Sequence, residues 1–286
     1  MNMERGRRLP VWLKMQRASG ENYSRVKRLV ESNHLHTICT SGNCPNIGEC
    51  WNAGTATFLI LGDICTRACK FCATITGKPY PPDMDEPKRI AEAVKILNLK
   101  HCVITSVDRD DLPDGGSSFW AETVRCIKNL NPFTTIETLI PDFEGKPVNI
   151  QKIIDEDPDI VSHNIETVRR LTPQVRTKAR YEISLKVLSF ISDKGSISKS
   201  GFMLGLGETE PEIYQTMKDL KETGCKILTV GQYLKPGLNH MEPVSYITPE
   251  KFEDYRKFAQ ALGYSHVECH PLVRSSFHSG DQLKNG

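Results

Sequence analysis

The sequence predicts an α/β protein built as one parallel barrel, left incomplete at six βα units. Three observations carry this. From Thr55 onward, short apolar and β-branched runs alternate with longer helix-like stretches, polar residues gather directly after those runs, and no linker-like break divides them. At 286 residues, 38% hydrophobic and 25% charged, the chain can bury the core of one large domain with short additions at its ends.

Strands are expected near 55–62 (TATFLILG), 101–107 (HCVITSV), 134–140 (TTIETLI), 159–163 (DIVSH), 199–206 (KSGFMLGL) and 225–232 (CKILTVGQ). Helices fall between and after them, near 87–98, 117–129, 147–156, 181–193, 210–222 and 249–261. Pro79, Pro81, Pro82 and Pro87 mark an extended loop ahead of the first of these helices. Parallel barrels carry their chemistry at the C-terminal ends of the strands. Polar residues do follow the expected strands: Asp63 and Cys65, Asp108 to Asp111, Asp142, Asn164 with Glu166, and Gly207 with Glu208. Such residues also cap helices and fill turns. The repeats divide the chain into an N-terminal extension over 1–54, the barrel over 55–262 and a C-terminal extension over 263–286.

No run reaches the roughly 18 to 20 apolar residues that a membrane span needs, and the Arg-rich N-terminus has no apolar signal region, so a soluble, cytoplasmic protein with no membrane partner is expected. The net charge of +2 is unevenly spread. Residues 1–30 hold Arg5, Arg7, Arg8, Lys14, Arg17, Arg25, Lys27 and Arg28 against Glu4 and Glu21, a local charge of +6. Such an arm could steer an acidic protein or nucleic acid, or be a solvated tail.

Six of the ten cysteines fall within residues 39–72. In a reducing compartment that clustering points to metal rather than disulfides. Cys65, Cys69 and Cys72 form C-x3-C-x2-C in the loop leaving the first strand. Three thiolates can hold three irons of a 4Fe-4S cube and leave the fourth open to a substrate. There S-adenosylmethionine could chelate through its amino and carboxylate groups and be split to a 5′-deoxyadenosyl radical by one electron. A zinc site would ordinarily want a fourth protein ligand and C-x2-C pairs. Cys39, Cys44 and Cys50 form a second triplet, bent by Gly42, Pro45 and Gly48 and again one ligand short. Cys102, Cys126, Cys225 and Cys269 are isolated and read as core or structural thiols.

With both triplets in view, the chain resembles the lipoyl synthases of the radical S-adenosylmethionine superfamily from about Trp12 to Ser279. The resemblance is carried by Cys39 with Cys44-Pro-Asn-Ile-Gly-Glu-Cys50-Trp51, by Cys65-Thr-Arg-Ala-Cys69-Lys-Phe-Cys72 and by Ile104-Thr-Ser-Val-Asp-Arg-Asp-Asp-Leu112. Further along it runs through His163-Asn-Ile-Glu-Thr-Val168, Lys199 to Glu208, Gly231-Gln-Tyr-Leu234 and Arg274-Ser-Ser-Phe277. The chain departs from the family's pattern at Phe277, Lys235 and His270, where Tyr, Gln and Gly are usual. These departures touch substrate loops rather than the cysteines.

The resemblance implies a partial (β/α)6 barrel of the radical S-adenosylmethionine type and a sulfurtransferase that inserts sulfur at C6 and C8 of a protein-bound octanoyl group. It implies two 4Fe-4S clusters, one on Cys65, Cys69 and Cys72 and an auxiliary one on Cys39, Cys44 and Cys50 with Ser276 as fourth ligand, the latter consumed as the sulfur source. A hard alkoxide in a sulfur-rich cluster is a ligand that can be released. Implied partners are octanoylated lipoyl carrier domains of 2-oxo acid dehydrogenases, the glycine-cleavage H protein, a ferredoxin or flavodoxin reductant and iron-sulfur assembly or carrier proteins, with no nucleic acid. Candidate contacts to S-adenosylmethionine are Asp108, Asn164, Glu166, Arg176 and the turn from Gly205 to Glu208, with Arg176 suited to a bidentate bond to the methionyl carboxylate. No general acid or base is demanded, because an unactivated methylene has no acidic proton. Two other readings remain: a radical enzyme that inserts sulfur elsewhere, and a two-cluster electron-transfer protein.

Overall fold

The computed structural model describes residues 9–14, 19–52 and 55–283. Much of the basic N-terminal segment lies outside them. In chain order the elements are a short 3-10 turn (Val11–Leu13), α1 (Glu21–Ser32), β1 (His36–Thr37), α2 (Ile38–Ser41), α3 (Ile47–Asn52), β2 (Thr57–Ile60), β3 (Ile64–Cys65) and β4 (Ile75–Thr76). They continue as α4 (Glu86–Leu97), β5 (His101–Ser106), α5 (Ser117–Leu130), β6 (Thr135–Leu139), α6 (Pro147–Ile154), β7 (Ile160–Ser162), α7 (Thr172–Val175) and α8 (Tyr181–Asp193). Last come β8 (Ser198–Leu204), α9 (Glu210–Glu222), β9 (Ile227–Gln232), α10 (Pro249–Ala261) and β10 (His266–Cys269).

The main sheet runs β1-β2-β5-β6-β7-β8-β9-β10. Every ladder from β2 to β10 is parallel, and β1 pairs antiparallel on the edge of β2. All residues of β2 and β9 are buried, as expected for strands covered on both faces. The helices are stopped and started by local chemistry. Thr209 and Glu212 form a reciprocal capping box at the start of α9, and Asn98 closes α4 in the left-handed conformation.

The sheet is strongly curled. Five strand spacings separate β2 from β9, about 24 Å if the sheet were flat. Yet Val273 lies against Gly231 of β9, where an added Cβ would stand 2.1 Å from the Val273 carbonyl oxygen, and Ser276 accepts a 2.8 Å bond from Thr57 of β2. Three residues reach only about 11 Å, so the two ends of the sheet must approach each other around this segment. The same segment continues to the start of β5, where a Cβ on Gly280 would meet the His101 Cβ at 3.1 Å. At that end of the strands Lys199 and Glu137, both fully buried, pair at 2.8 Å, with the Ser162 hydroxyl donating to Glu137 at 2.6 Å.

The expected strands and helices of the barrel are present within a few residues of their expected limits. Apart from the short β3, β4 and α7, two features lie beyond that reading. β10 adds a seventh parallel strand from the segment expected outside the repeats; its sequence HVEC is half-buried and lacks an apolar run. The stretch 19–52 folds into helices around β1, with the Tyr23 and Trp51 rings 5.2 Å apart.

Candidate functional site

Inside the curl is a cavity of about 1770 Å³, lined by residues of β2, β5, β6, β8 and β9, by His163 and Asn164 just beyond β7, and by both cysteine segments. Cys65, Cys69 and Cys72 are on its wall. Their loop is closed at its base by the β3–β4 pairing, Ile64 with Ile75 and Cys65 with Thr76. Neighbours pin its backbone: Thr66 N donates to Asp108 O (3.1 Å), Lys70 N to Val175 O (2.9 Å), and Ala68 N to Thr177 Oγ1 (3.2 Å). His240 Nε2 lies 2.9 Å from the Cys72 carbonyl oxygen. The Cys65 sulfur accepts backbone N–H bonds from Arg67 (3.4 Å) and Asp108 (3.3 Å), the kind of contact that tunes a metal-bound sulfur.

Cys39 on α2, and Cys44 just beyond it, line the same cavity. Cys50 sits behind them on α3 and off the cavity wall, near enough that Cys44 and Cys39 both oppose its ionisation. This group is held against the C-terminal segment: Asn46 Nδ2 donates to Leu272 O at 2.7 Å, and Arg274 acts electrostatically on Cys44. Ser275 and Ser276 line the cavity beside it. Thr57 links the two segments, donating to Ser276 Oγ and also lying within hydrogen-bond reach of the Cys39 thiol.

One buried arginine organises the polar end. Arg67, between Cys65 and Cys69, makes forked bonds to Asp110 (2.8 Å from Nε and from Nη2) and to Asp142 (2.8 and 3.1 Å), and lies 3.2 Å from Asp108. Burial alone would raise the Asp142 carboxyl; Arg67 outweighs it and holds the group at about 2. Asp108 goes the other way, pushed up to about 6 because burial outweighs its arginine. Asn164, Glu166 and Arg176 also line the cavity. Asn164 donates to Ser275 Oγ at 2.6 Å, while its own Oδ1 is buried without a partner. Burial raises Glu166, and Arg176 pulls against that rise. Gly205 and Glu208 are not on the cavity wall. The Glu208 carboxylate turns back to accept the N–H groups of Gly205 and Leu206. Sequence reasoning passed over Thr57, Arg67, His163 and Ser184; an arginine between two cysteines facing an Asp-Arg-Asp-Asp run was the available signal for Arg67.

The donor set suits iron-sulfur clusters. Burial first, and then neighbouring acidic groups, raise the thiols of Cys39 and Cys65 to about 11 and that of Cys50 to about 12. Thiolates gathered this way are stable only with positive charge among them, which a bound metal supplies. Among the described residues no three His, Cys, Asp or Glu side chains converge on a single ion, while a cube takes one thiolate per iron. Cys102, Cys225 and Cys269 are buried away from the cavity, and Cys126 bonds Glu122 on its own helix.

Comparison with known proteins agrees with this geometry. The sequence profile of the radical SAM superfamily matches residues 59–220. Among solved structures, methylornithine synthase superposes with a TM-score of 0.56 over 88% of this chain and 79% of its own, at 13% identity. HydG, a maturase of the [FeFe]-hydrogenase, gives 0.52 over 92% and 74%, also at 13%; at such identities these two speak to fold alone. The chain thus belongs to the radical S-adenosylmethionine superfamily, whose members carry a 4Fe-4S cluster and S-adenosylmethionine. It is 54% identical over 272 residues to a lipoyl synthase of Parabacteroides distasonis, covering 95% of this chain and 97% of the relative. It is 55% identical over 269 residues to one of Flavobacterium johnsoniae, covering 94% and 93%. Within the superfamily the chain belongs to the lipoyl synthase family. No helix among the described residues is long and apolar enough to cross a membrane.

Proposed function

We propose that the two cysteine triplets are the two halves of one sulfur-inserting site, with the octanoyl chain held between them. The activity is that of the family: a sulfurtransferase that places sulfur at C6 and C8 of a protein-bound octanoyl group, forming the lipoyl cofactor. The observation that carries this reading is that Cys65, Cys69 and Cys72 line the same cavity as Cys39, Cys44 and Ser276. When bound, the clusters would supply the low-potential electron for cleaving S-adenosylmethionine, the one on Cys65, Cys69 and Cys72, and the sulfur for the product, the one on Cys39, Cys44, Cys50 and Ser276.

In this reading the chain's own residues bind, orient and exclude water. Cys65, Cys69 and Cys72 hold the first cluster on a loop fixed by Arg67. Cys39, Cys44, Cys50 and Ser276 hold the second, and Thr57 keeps Ser276 beside Cys39. Arg176 meets the methionyl carboxylate, while Asp108, Asn164 and Glu166 offer polar contacts to the rest of the ligand. Gly205 and Glu208 shape a turn behind the wall. Leu59, Val107, Leu139, Phe202 and Tyr233 give the octanoyl chain a dry, apolar lining. Residues 1–54 supply the auxiliary cysteines, 55–262 the radical barrel and 263–286 the serine. The substrate comes on lipoyl carrier domains or the glycine-cleavage H protein, electrons come from a ferredoxin or flavodoxin, clusters come from iron-sulfur carrier proteins, and the setting is cytoplasmic.

The test is anaerobic reconstitution followed by turnover on an octanoylated carrier. About eight irons and eight sulfides per chain are expected for two cubes. Ser276→Ala is expected to keep forming 5′-deoxyadenosine while losing the dithiolane product. Full lipoylation by that variant would refute the ligand role, and absence of 5′-deoxyadenosine from the native chain would refute the radical reading.

A further inference from the structure

Arg176 stands at the C-terminal end of α7, buried yet on the cavity wall. Both hydrogen bonds recorded for its guanidinium leave from Nη1, 2.8 Å to Ser184 Oγ and 3.4 Å to Ile165 O. Its Nε and Nη2 remain for a ligand in the cavity. A guanidinium can only donate, so Ser184 Oγ accepts from it and must send its own hydrogen elsewhere. Ser184 is wholly buried on α8, and its other neighbour is His163 Nε2 at 2.9 Å.

The direction of the chain is then forced. His163 Nδ1 lies 2.9 Å from the Ile140 carbonyl oxygen, which can only accept, so Nδ1 carries the ring hydrogen and Nε2 accepts from Ser184. Burial, and then the nearby Arg176 charge, keep His163 neutral, with its pKa lowered to about 4. A protonated ring would set two donors against the serine; the neutral ring leaves a single consistent arrangement.

We infer that Ser184 and His163 are positioning residues that aim the free edge of Arg176 at the carboxylate of S-adenosylmethionine. This rests on the reading of Arg176 as the carboxylate partner. The need for an aiming device is physical. Asp108 and Glu166 both feel the Arg176 charge, and a loose guanidinium would turn toward them instead of toward the ligand. The serine bond competes with that turn, and the histidine holds the serine rotor still.

The experiment measures equilibrium binding of S-adenosylmethionine and of its decarboxylated analogue to the reconstituted holoenzyme. Ser184→Ala is expected to weaken S-adenosylmethionine on the order of tenfold, the cost of one bond to a charged group, and to leave the decarboxylated analogue unchanged. Ser184→Thr, which keeps the hydroxyl, is expected to restore the preference, and His163→Leu to narrow it as Ser184→Ala does. Equal weakening of both ligands by Ser184→Ala, or of neither, would overturn the positioning role. Arg176→Gln separates the two readings. If it leaves the preference intact, the carboxylate assignment fails; if it narrows the preference while Ser184→Ala and His163→Leu do not, only the relay fails.

Discussion

Replacing Lys199 by Met would leave a carboxylate stranded inside the barrel. Lys199 and Glu137 have no solvent exposure and meet at 2.8 Å. With the ammonium gone, Glu137 keeps the Ser162 hydroxyl at 2.6 Å and the His101 ring, whose Nε2 is 3.9 Å away and has no hydrogen-bond partner. Breaking a buried pair from one side costs about 3 to 5 kcal/mol, which moves a urea midpoint by about 1 to 2 M for a chain of this size. The loss is expected to depend on pH through His101. In the native chain burial lowers the His101 pKa, Glu137 opposes that, and Lys199 adds to it. A base with a lowered folded pKa gives stability that is complete above the ordinary value of about 6.5 and lost as pH falls below it. Lys199→Met removes one lowering charge and leaves Glu137 raising, so His101 can protonate at mildly acid pH and pair with the stranded carboxylate. The deficit of the variant should therefore be largest near about pH 8 and shrink toward about pH 5.5. Urea titrations followed by tryptophan fluorescence, at matched cluster content, measure this. The double variant Glu137→Leu with Lys199→Met should recover most of the loss. A single-variant cost under about 1 kcal/mol, or a double cost equal to the sum of the singles, would refute the reasoning.

Two further outcomes test the architecture. Gly231→Ala places a Cβ 2.1 Å from the Val273 carbonyl oxygen, a backbone atom that cannot step aside alone. The segment carrying Ser276 should shift, and iron counting should show loss from the auxiliary cluster while the radical cluster persists. An unchanged count would mean that the segment is not held there. Arg67→Lys keeps one charge but cannot fork onto Asp110 and Asp142 together. The loop of Cys65 to Cys72 should loosen, and formation of 5′-deoxyadenosine per cluster should fall on the order of tenfold, about 1.4 kcal/mol in the barrier. A native rate would dismiss Arg67 as the anchor of that loop.

The barrel was legible because its signals are local. The stretch 181–193 reads as a helix from its own spacing and is α8, and the run 225–232 reads as a buried strand and contains β9. β10 escaped because an edge strand with one half-covered face need not be apolar, and its pairing with β9 is made across α10. The cysteine spacings pointed to clusters, yet spacing carries no information on which segments face one another. Ser276 shows the limit: resemblance nominated it, while the residue beside it, Thr57, lies 219 positions away and has no pattern of its own.

By itself, then, the sequence determined the repeating units, the two thiol triplets and the family. These depend on contacts within a few residues, where side-chain period and ligand spacing are written directly. The tertiary structure alone decided that five of the six clustered thiols border one cavity, that one arginine binds three carboxylates beyond β5 and β6 to the loop of the first triplet, and that Thr57 links a serine near the C-terminus to Cys39 of the second. Those facts follow from the curl of the sheet, which brings its distant edges to within a few residues' reach of each other.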